Sequence, residues 1–262
     1  MKFTTEKLNG ISSAMIDIAE RAGEEILSVY SASFDVRTKP DASPVTDADE
    51  RSERLIVEGL EKRFPEIPVV AEESFARGRV PDIKDSPFFL VDPLDGTKEF
   101  VSRNGEFTVN IALIEQGVPI AGVVHVPALG ESYWCDGEGT AWRRRATGDP
   151  EPIRCRVPNG GLVVVASRSH RDAKTDRYLE GFNVREQISA GSSIKFCRVA
   201  EGAADLYPRL GRTMEWDVAA GHAVVNAAGG SVTTLDDHPL TYGKPDFANP
   251  YFVVRGAAPD AD

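Results

Sequence analysis

Four apolar residues in a row, Phe88-Phe89-Leu90-Val91, stop abruptly at Asp92-Pro93-Leu94-Asp95-Gly96-Thr97. The apolar run predicts a buried strand. Pro93 turns the chain, and Gly96 allows backbone geometry that other residues avoid. Two carboxylates are left at the mouth of the strand, and Thr97 opens a short helix. A strand that ends in acids and runs into a helix N-terminus can hold cations and a phosphate side by side. An ordinary acidic turn uses the same residue types, so the rest of the chain has to decide.

The chain has 262 residues, enough for one large domain or two moderate ones. With 41% hydrophobic and 27% charged residues it can build a core. Its net charge of −11 argues against a nucleic-acid polymer as partner, because such grooves need basic patches. An anionic small molecule remains allowed if metal ions or a few local Lys and Arg offset the acid around it. Cys135, Cys155 and Cys197 are widely spaced with no C-x-x-C, so neither a zinc cluster nor a disulfide framework is indicated. No apolar run reaches membrane-spanning length, and the N-terminus (Lys2, Thr4, Glu6, Lys7) is amphipathic rather than signal-like. The expectation is a reduced, cytoplasmic protein, with peripheral contact to the inner membrane left open.

Leu8, Ile11, Met15, Ile18, Ala22, Ile26 and Tyr30 recur at helical spacing and predict one long amphipathic helix. A loop rich in Pro, Ser and Asp leads into a second helix through Leu55, Ile56, Leu60 and Phe64. Thr46, Asp47 and Asp49 stand at its start, where one of them suffices as an N-cap and acids suit the helix dipole. Val69-Val70-Ala71 is a short strand that runs into Glu72-Glu73-Ser74, and a charged loop from Phe75 to Asp85 follows. Phe107 to Ile114 and Val118 to Val126 flank a Gly-containing turn as a hairpin. Residues 60–156 are therefore dominated by strands, antiparallel after Phe107. Arg143-Arg144-Arg145 reads as a solvated edge. A charged, Pro-rich stretch near 145–159 divides an N-terminal α+β domain, 1–150, from a C-terminal domain, 151–262, whose strand and helix alternation indicates α/β.

Asp49, Glu72, Asp92, Asp95 and Asp217 all lie at strand exits or helix starts. Mg²⁺ is usually held by few carboxylates plus waters and phosphate oxygens, and paired ions clamp the attacking and leaving oxygens of a displacement. In such a site Asp92 bridges, with Glu72, Asp95 and Asp217 flanking. Histidine is almost absent from the set, which suits Mg²⁺ over Zn²⁺. The spacing D-x-x-D-G-T is one residue longer than the D-x-D-x-T nucleophile motif of haloacid-type phosphatases. That argues for water rather than an aspartate as the nucleophile.

Asp92-Pro93-Leu94-Asp95-Gly96-Thr97 resembles the D-P-[IL]-D-G-T signature of the inositol monophosphatase superfamily. Ala71-Glu72-Glu73-Ser74 is similar to its G-E-E-S element, with Ala in place of Gly, and Trp216-Asp217-Val218-Ala219-Ala220-Gly221 to its W-D-x-A-A-G element. All three occur in family order over nearly the whole chain, which one motif alone would not establish. Lys98-Glu99-Phe100, the segment 43–49, the segment 105–110, Gly191-Ser192-Ser193-Ile194-Lys195-Phe196-Cys197 and the segment 200–209 further resemble the bacterial 3′(2′),5′-bisphosphate nucleotidases. The resemblance implies a two-domain layered αβαβα sandwich with the active site between the domains. It implies two or three Mg²⁺ ions, lithium sensitivity, a place in sulfur assimilation, and removal of the 3′-phosphate from adenosine 3′,5′-bisphosphate. A homodimer is left open.

By the same resemblance Glu72, Asp92, Asp95, Asp217 and the Leu94 carbonyl are metal ligands. Thr97 and Asp49 handle the attacking water, with Glu72 also in the catalytic set. The amides of Gly96 and Thr97 receive phosphate. Lys195 and Ser193 in the first turn of a helix, His170 at a strand exit and Arg209 at a strand end are the candidate substrate contacts; each also has an ordinary reading as a loop or surface residue. His125 and His222 read as packed residues. Two other functions stay open: the same chemistry on a sugar or cyclitol phosphate such as inositol 1-phosphate, and an inactive cation-binding module.

Overall fold

The protein is described by a computed structural model over residues 3–32, 35–38, 44–84, 86–146, 148–167 and 173–258. Its helices are α1 (Thr5–Tyr30), α2 (Asp47–Arg63), α3 (Glu72–Ala76), α4 (Thr97–Val101), α5 (Ala173–Leu179), α6 (Ile194–Ala200) and α7 (Glu215–Ala227). A small β1–β2 pair (Arg37–Thr38, Pro44–Val45) precedes α2. Seven strands then form one sheet in sequence order: β3 (Val69–Ala71), β4 (Phe88–Asp95), β5 (Thr108–Glu115), β6 (Val118–Val126), β7 (Glu131–Cys135), β8 (Ala141–Arg145) and β9 (Glu151–Ile153). Only β3 and β4 run parallel; every later pair is antiparallel. The β5–β6 hairpin turns on Gln116 and Gly117, with φ of 50° and 76°. Two positive φ values in a two-residue loop give the twist that adjacent strands require.

The second sheet holds β10 (Leu162–Ser167), β11 (Val184–Ala190), β12 (Leu206–Arg209), β13 (Ser231–Thr234) and β14 (Phe252–Arg255), in the order β11-β10-β12-β14-β13. Alternation along the strands assigns the layers. Phe89 and Val91 of β4 pack with α1 and α2, while Phe88 and Leu90 pack with α6 and α7. In β10, Val163 and Val165 join that same inner core, and Val164 faces Leu179 of α5. The order is therefore α1/α2, seven-stranded sheet, α6/α7, five-stranded sheet, α5. Strands covered on both sides read as unbroken apolar runs, which is why β4 was visible from its composition.

Three readings of the sequence change. The start of the 75–85 loop is helical, because α3 carries Glu72, Glu73 and Ser74 directly off β3. Within the alternating C-terminal half, a short strand at Gln187-Ile188 is the expectation, but the strand there is the seven-residue β11; as the sheet's edge it is mostly exposed and polar, so the apolar alternation that announces a strand is missing. In the run Arg143-Arg144-Arg145, expected as a solvated edge, only Arg145 is exposed; Arg143 and Arg144 are largely covered. The three guanidinium groups pair with Glu201 and Glu151, with Glu20, and with Glu131.

Candidate active site

A cleft of about 660 Å³ opens where residues from both sheets meet. Glu72, Asp95, Gly96, Thr97, Ser193, Lys195, Arg209 and Asp217 line it, from segments far apart in the chain. Asp49, Asp92 and Leu94 stand outside its wall. His170 lies outside the described residues.

Helix starts fix two of the acids. Asp49 is the third residue of α2, and its Oδ2 accepts from the Thr46 N–H at 2.7 Å and the Thr46 hydroxyl at 2.8 Å. Thr46 Oγ1 in turn accepts from the Ala48 N–H, so the pair forms a reciprocal cap. The other oxygen, Oδ1, accepts from Thr97 Oγ1 at 3.3 Å. Burial pushes the Asp49 carboxyl up to about 7; the Thr46 bonds oppose this, and the negative charges of Glu73 and Glu72 add to it. Asp217 repeats the device in α7, its Oδ2 accepting from the Met214 N–H at 2.9 Å. Burial raises the Asp217 carboxyl well above the usual range, and Asp95 and Glu72 raise it further.

The opening stretch bends as its residues demand. Asp92 is buried and accepts the Leu94 N–H at 3.0 Å. Gly96 adopts φ 91° as the residue before α4, a conformation that side-chain-bearing residues rarely take. Thr97 Oγ1 also lies 3.4 Å from the Leu94 carbonyl. Asp95 Oδ2 accepts from Ser192 Oγ at 2.7 Å and Ser193 Oγ at 3.0 Å.

The rest of the wall is cationic and aromatic. Lys195 is buried, 5.5 Å from the centre of the Tyr207 ring, and donates to the carbonyls of Ser192 and Ala190. Burial brings its ammonium down to about 8, against the pull of Asp95. Arg209 donates to the Arg212 carbonyl, while its Nε is buried without a hydrogen-bond partner among the described residues.

The donor set suits a hard cation. The acids of the wall offer oxygen alone, and Glu72 and Asp95 raise the Asp217 carboxyl by mutual repulsion. A divalent ion would relieve that repulsion. Among the described residues no three carboxylate, imidazole or thiol groups are gathered closely enough to enclose an ion by themselves.

Residues 7–252 match the model of the inositol monophosphatase family. The chain belongs to the inositol monophosphatase family. It is 47% identical over 240 residues to the 3′(2′),5′-bisphosphate nucleotidase CysQ of Escherichia coli strain K12, covering 90% of this chain and 96% of that one. The fold matches the crystal structure of CysQ from Bacteroides thetaiotaomicron with a TM-score of 0.81 at 39% identity, over 96% of this chain and 98% of that one. The inositol monophosphatase of Thermotoga maritima gives 0.75 at 26% identity, over 92% and 89%. Members of the inositol monophosphatase family are metal-dependent phosphatases, in keeping with the donor set.

Around the family's motifs the structure adds residues that the sequence reading passed over. Ser52 Oγ donates to the Pro93 carbonyl at 3.0 Å. Glu53 accepts from the Glu73 N–H at 2.6 Å and the Ser74 hydroxyl at 2.8 Å. Both acidic turns are thus held by adjacent residues of α2. A signal was present: Ala48, Asp49, Ser52, Glu53, Ile56 and Leu60 form the buried stripe of α2, and polar residues inside an apolar stripe need partners. The two packed histidines behave as expected. His125 Nδ1 meets Ser132 Oγ at 2.9 Å, and His222 Nδ1 meets the Tyr242 hydroxyl at 2.8 Å.

Proposed function

We propose that the chain hydrolyses the 3′-phosphate of adenosine 3′,5′-bisphosphate to AMP and phosphate, with Mg²⁺ and with water as nucleophile. One observation carries the reading: a single cleft has acids at Glu72, Asp95 and Asp217 and cations at Lys195 and Arg209. A substrate suited to both carries one phosphate for the cation-loaded acids and a second anion for the basic groups. The unpaired Arg209 Nε fits the second role, because a buried donor without an acceptor is costly. An inositol monophosphate has no second anion to offer.

The two halves of the reading, 1–150 and 151–262, serve as the domains, although β9 (Glu151–Ile153) completes the seven-stranded sheet of the first. The first contributes Asp49, Glu72, Asp92, the Leu94 carbonyl and Asp95; the second contributes Asp217, Ser193, Lys195 and Arg209. Bound Mg²⁺ supplies Lewis-acid charge at the phosphoryl oxygens and makes the attacking water more acidic. Thr97 Oγ1 donates to Asp49 Oδ1, so the hydroxyl's lone pairs accept the water's proton side and orient its oxygen toward phosphorus. Asp49, with a carboxyl near 7, takes at Oδ1, through the Thr97 hydroxyl, the proton that the attacking water gives up as the new P–O bond forms. The P–O3′ bond breaks, and the departing 3′-oxygen takes a proton from solvent to leave as the 3′-hydroxyl of AMP. The Gly96 and Thr97 amides steady the phosphate. The relatives named for bisphosphate nucleotide hydrolysis support this substrate.

The test is phosphate release from adenosine 3′,5′-bisphosphate, 3′-AMP, inositol 1-phosphate and fructose 1,6-bisphosphate, with and without Mg²⁺ and Li⁺. The bisphosphate nucleotide should show the highest kcat/KM, depend on Mg²⁺ and be inhibited by Li⁺. Much faster turnover of inositol 1-phosphate would overturn the assignment.

A further inference from the structure

Thr108 and Asn110 of β5 are spaced by two, the interval at which side chains share one side of a strand, and Glu106 continues that spacing just before β5. Each meets a different member of one consecutive triplet from the other half of the molecule. Glu106 Oε2 accepts the Gly191 N–H at 2.8 Å. Thr108 Oγ1 and Ser192 Oγ meet at 2.5 Å. Asn110 Nδ2 donates to Ser193 Oγ at 3.0 Å. Residue by residue, 106, 108 and 110 bind 191, 192 and 193.

The triplet is tightly constrained. Ser192 has φ 50°, a left-handed conformation that costs a non-glycine residue energy. A Cβ at Gly191 would fall 2.8 Å from the Glu106 carbonyl oxygen and from Glu99 Cγ, so only glycine allows the approach. The same strand positions also adjoin the acids. In the β4–β5 register Thr108 stands opposite Asp95, and Asn110 opposite Asp92. Ser192 and Ser193 then donate to Asp95 Oδ2, and Ser193 reaches the Asp217 carbonyl at 2.8 Å. A hydroxyl has one proton to give. By donating to Ser193, Asn110 commits that proton to Asp95 or Asp217. Asn110 Oδ1 is itself buried without a partner among the described residues.

We propose that Glu106, Thr108 and Asn110 are positioning residues: a ladder that clamps Gly191-Ser192-Ser193 and, through the two serines, sets Asp95 and Asp217 for cation binding. The cation-binding half rests on the function proposed above; the clamp does not. The ladder ties the two sheets together at the cleft. It converts strand register in one half into the placement of acids contributed by both.

The test uses the full chain with Thr108→Val, Asn110→Leu and Thr108→Ser, read by amide hydrogen exchange without metal and by calorimetric titration with Mn²⁺. Thr108→Val and Asn110→Leu should each speed exchange across 191–194 by about 10-fold and weaken Mn²⁺ by about 10-fold, the usual effect of losing a group behind a ligand. Thr108→Ser restores the hydroxyl and should bring both values back to within about twofold. With saturating Mg²⁺, kcat for the bisphosphate nucleotide should fall more than KM rises. Unchanged exchange and Mn²⁺ affinity in both variants would overturn the ladder. So would losses that Thr108→Ser fails to restore, since those report general destabilisation, and so would a wild-type chain that binds no Mn²⁺. A wild-type chain that binds Mn²⁺, shows these variant effects and still spares the bisphosphate leaves the ladder standing and sinks the substrate assignment alone.

Discussion

Gly221→Ala adds one carbon atom at the contact that sets the depth of the cleft. A Cβ on Gly221 would lie 2.4 Å from Phe196 Cγ, 2.6 Å from Phe196 Cβ and 2.8 Å from Phe196 Cδ2. Carbon atoms pack best at about 3.5–4.0 Å, so α6 and α7 must part by about 1 Å. Phe196 cannot swing aside. It is buried, edge-on to Tyr207 at 5.3 Å and stacked on Phe252 at 5.9 Å, and its Cβ moves only with the α6 backbone. Overpacking at this severity costs about 3 kcal/mol, and replacing a helical glycine returns about 1 kcal/mol. The net loss of about 2 kcal/mol lowers Tm by about 4–8 °C in a chain of this size.

Activity should suffer more than stability. Asp217 and Gly221 share α7, and Ser193 directly precedes α6. Parting the helices by about 1 Å stretches the 2.8 Å bond from Ser193 to the Asp217 carbonyl beyond hydrogen-bond range. A misplacement of that size costs about 100-fold in kcat/KM. Phosphate release and thermal unfolding measure the two effects. Gly10→Ala is the control: Gly10 lies in α1 with nothing within 4 Å of an added Cβ. It should gain about 0.5–1 kcal/mol and keep full activity. If Gly221→Ala resembles Gly10→Ala, with Tm raised and turnover intact, the close-contact argument is wrong.

Asp95→Asn removes one of the charges that raise the Asp217 carboxyl. It should cut turnover at least about 100-fold without lowering the Tm of the metal-free chain, and it should shrink the Tm gain on adding Mg²⁺; unchanged turnover would exclude Asp95 from the site. Acid should destabilise the fold through two buried histidines. Burial lowers His125 and His222 to about 4; around His125 the Glu20 carboxylate opposes this and Arg144 adds to it. Both are neutral when folded yet protonate near 6.5 when unfolded. Their contribution is whole above pH 6.5 and is lost as the pH falls toward 4, about 2–3 kcal/mol each by pH 4.5. The buried Asp49 and Asp217 carboxyls gain stability by protonating over the same range, so the test compares urea unfolding at pH 7 and 4.5 for the wild type and His222→Phe. The wild type should lose more than the variant between the two values, and an equal pH dependence would refute the histidine contribution.

Much of this was legible because its causes are local. The main strands and helices stand out as apolar runs with their periods, and the acids of the cleft stand where strands and helices visibly end, whereas the layer order was implied only by the family resemblance. Arg143, Arg144 and Arg145 were misread because their partners Glu201, Glu20 and Glu131 lie in other elements. The ladder was invisible for the same reason: serine, threonine and asparagine are common, and the 106–110 and 191–193 segments meet only when both sheets have formed.

Asp49 shows how a capping role and the catalytic role proposed for it are compatible. A carboxylate has two oxygens. Oδ2 closes the start of α2, and Oδ1 faces Thr97. Asp217 is likewise held through Oδ2 at the start of α7. Capping immobilises a side chain that would otherwise lose entropy on ordering, and it orients the remaining oxygen without a dedicated support. An acid at the third position of a helix that begins beside other acids therefore deserves both readings at once, since the bond that caps the helix is what aims the group.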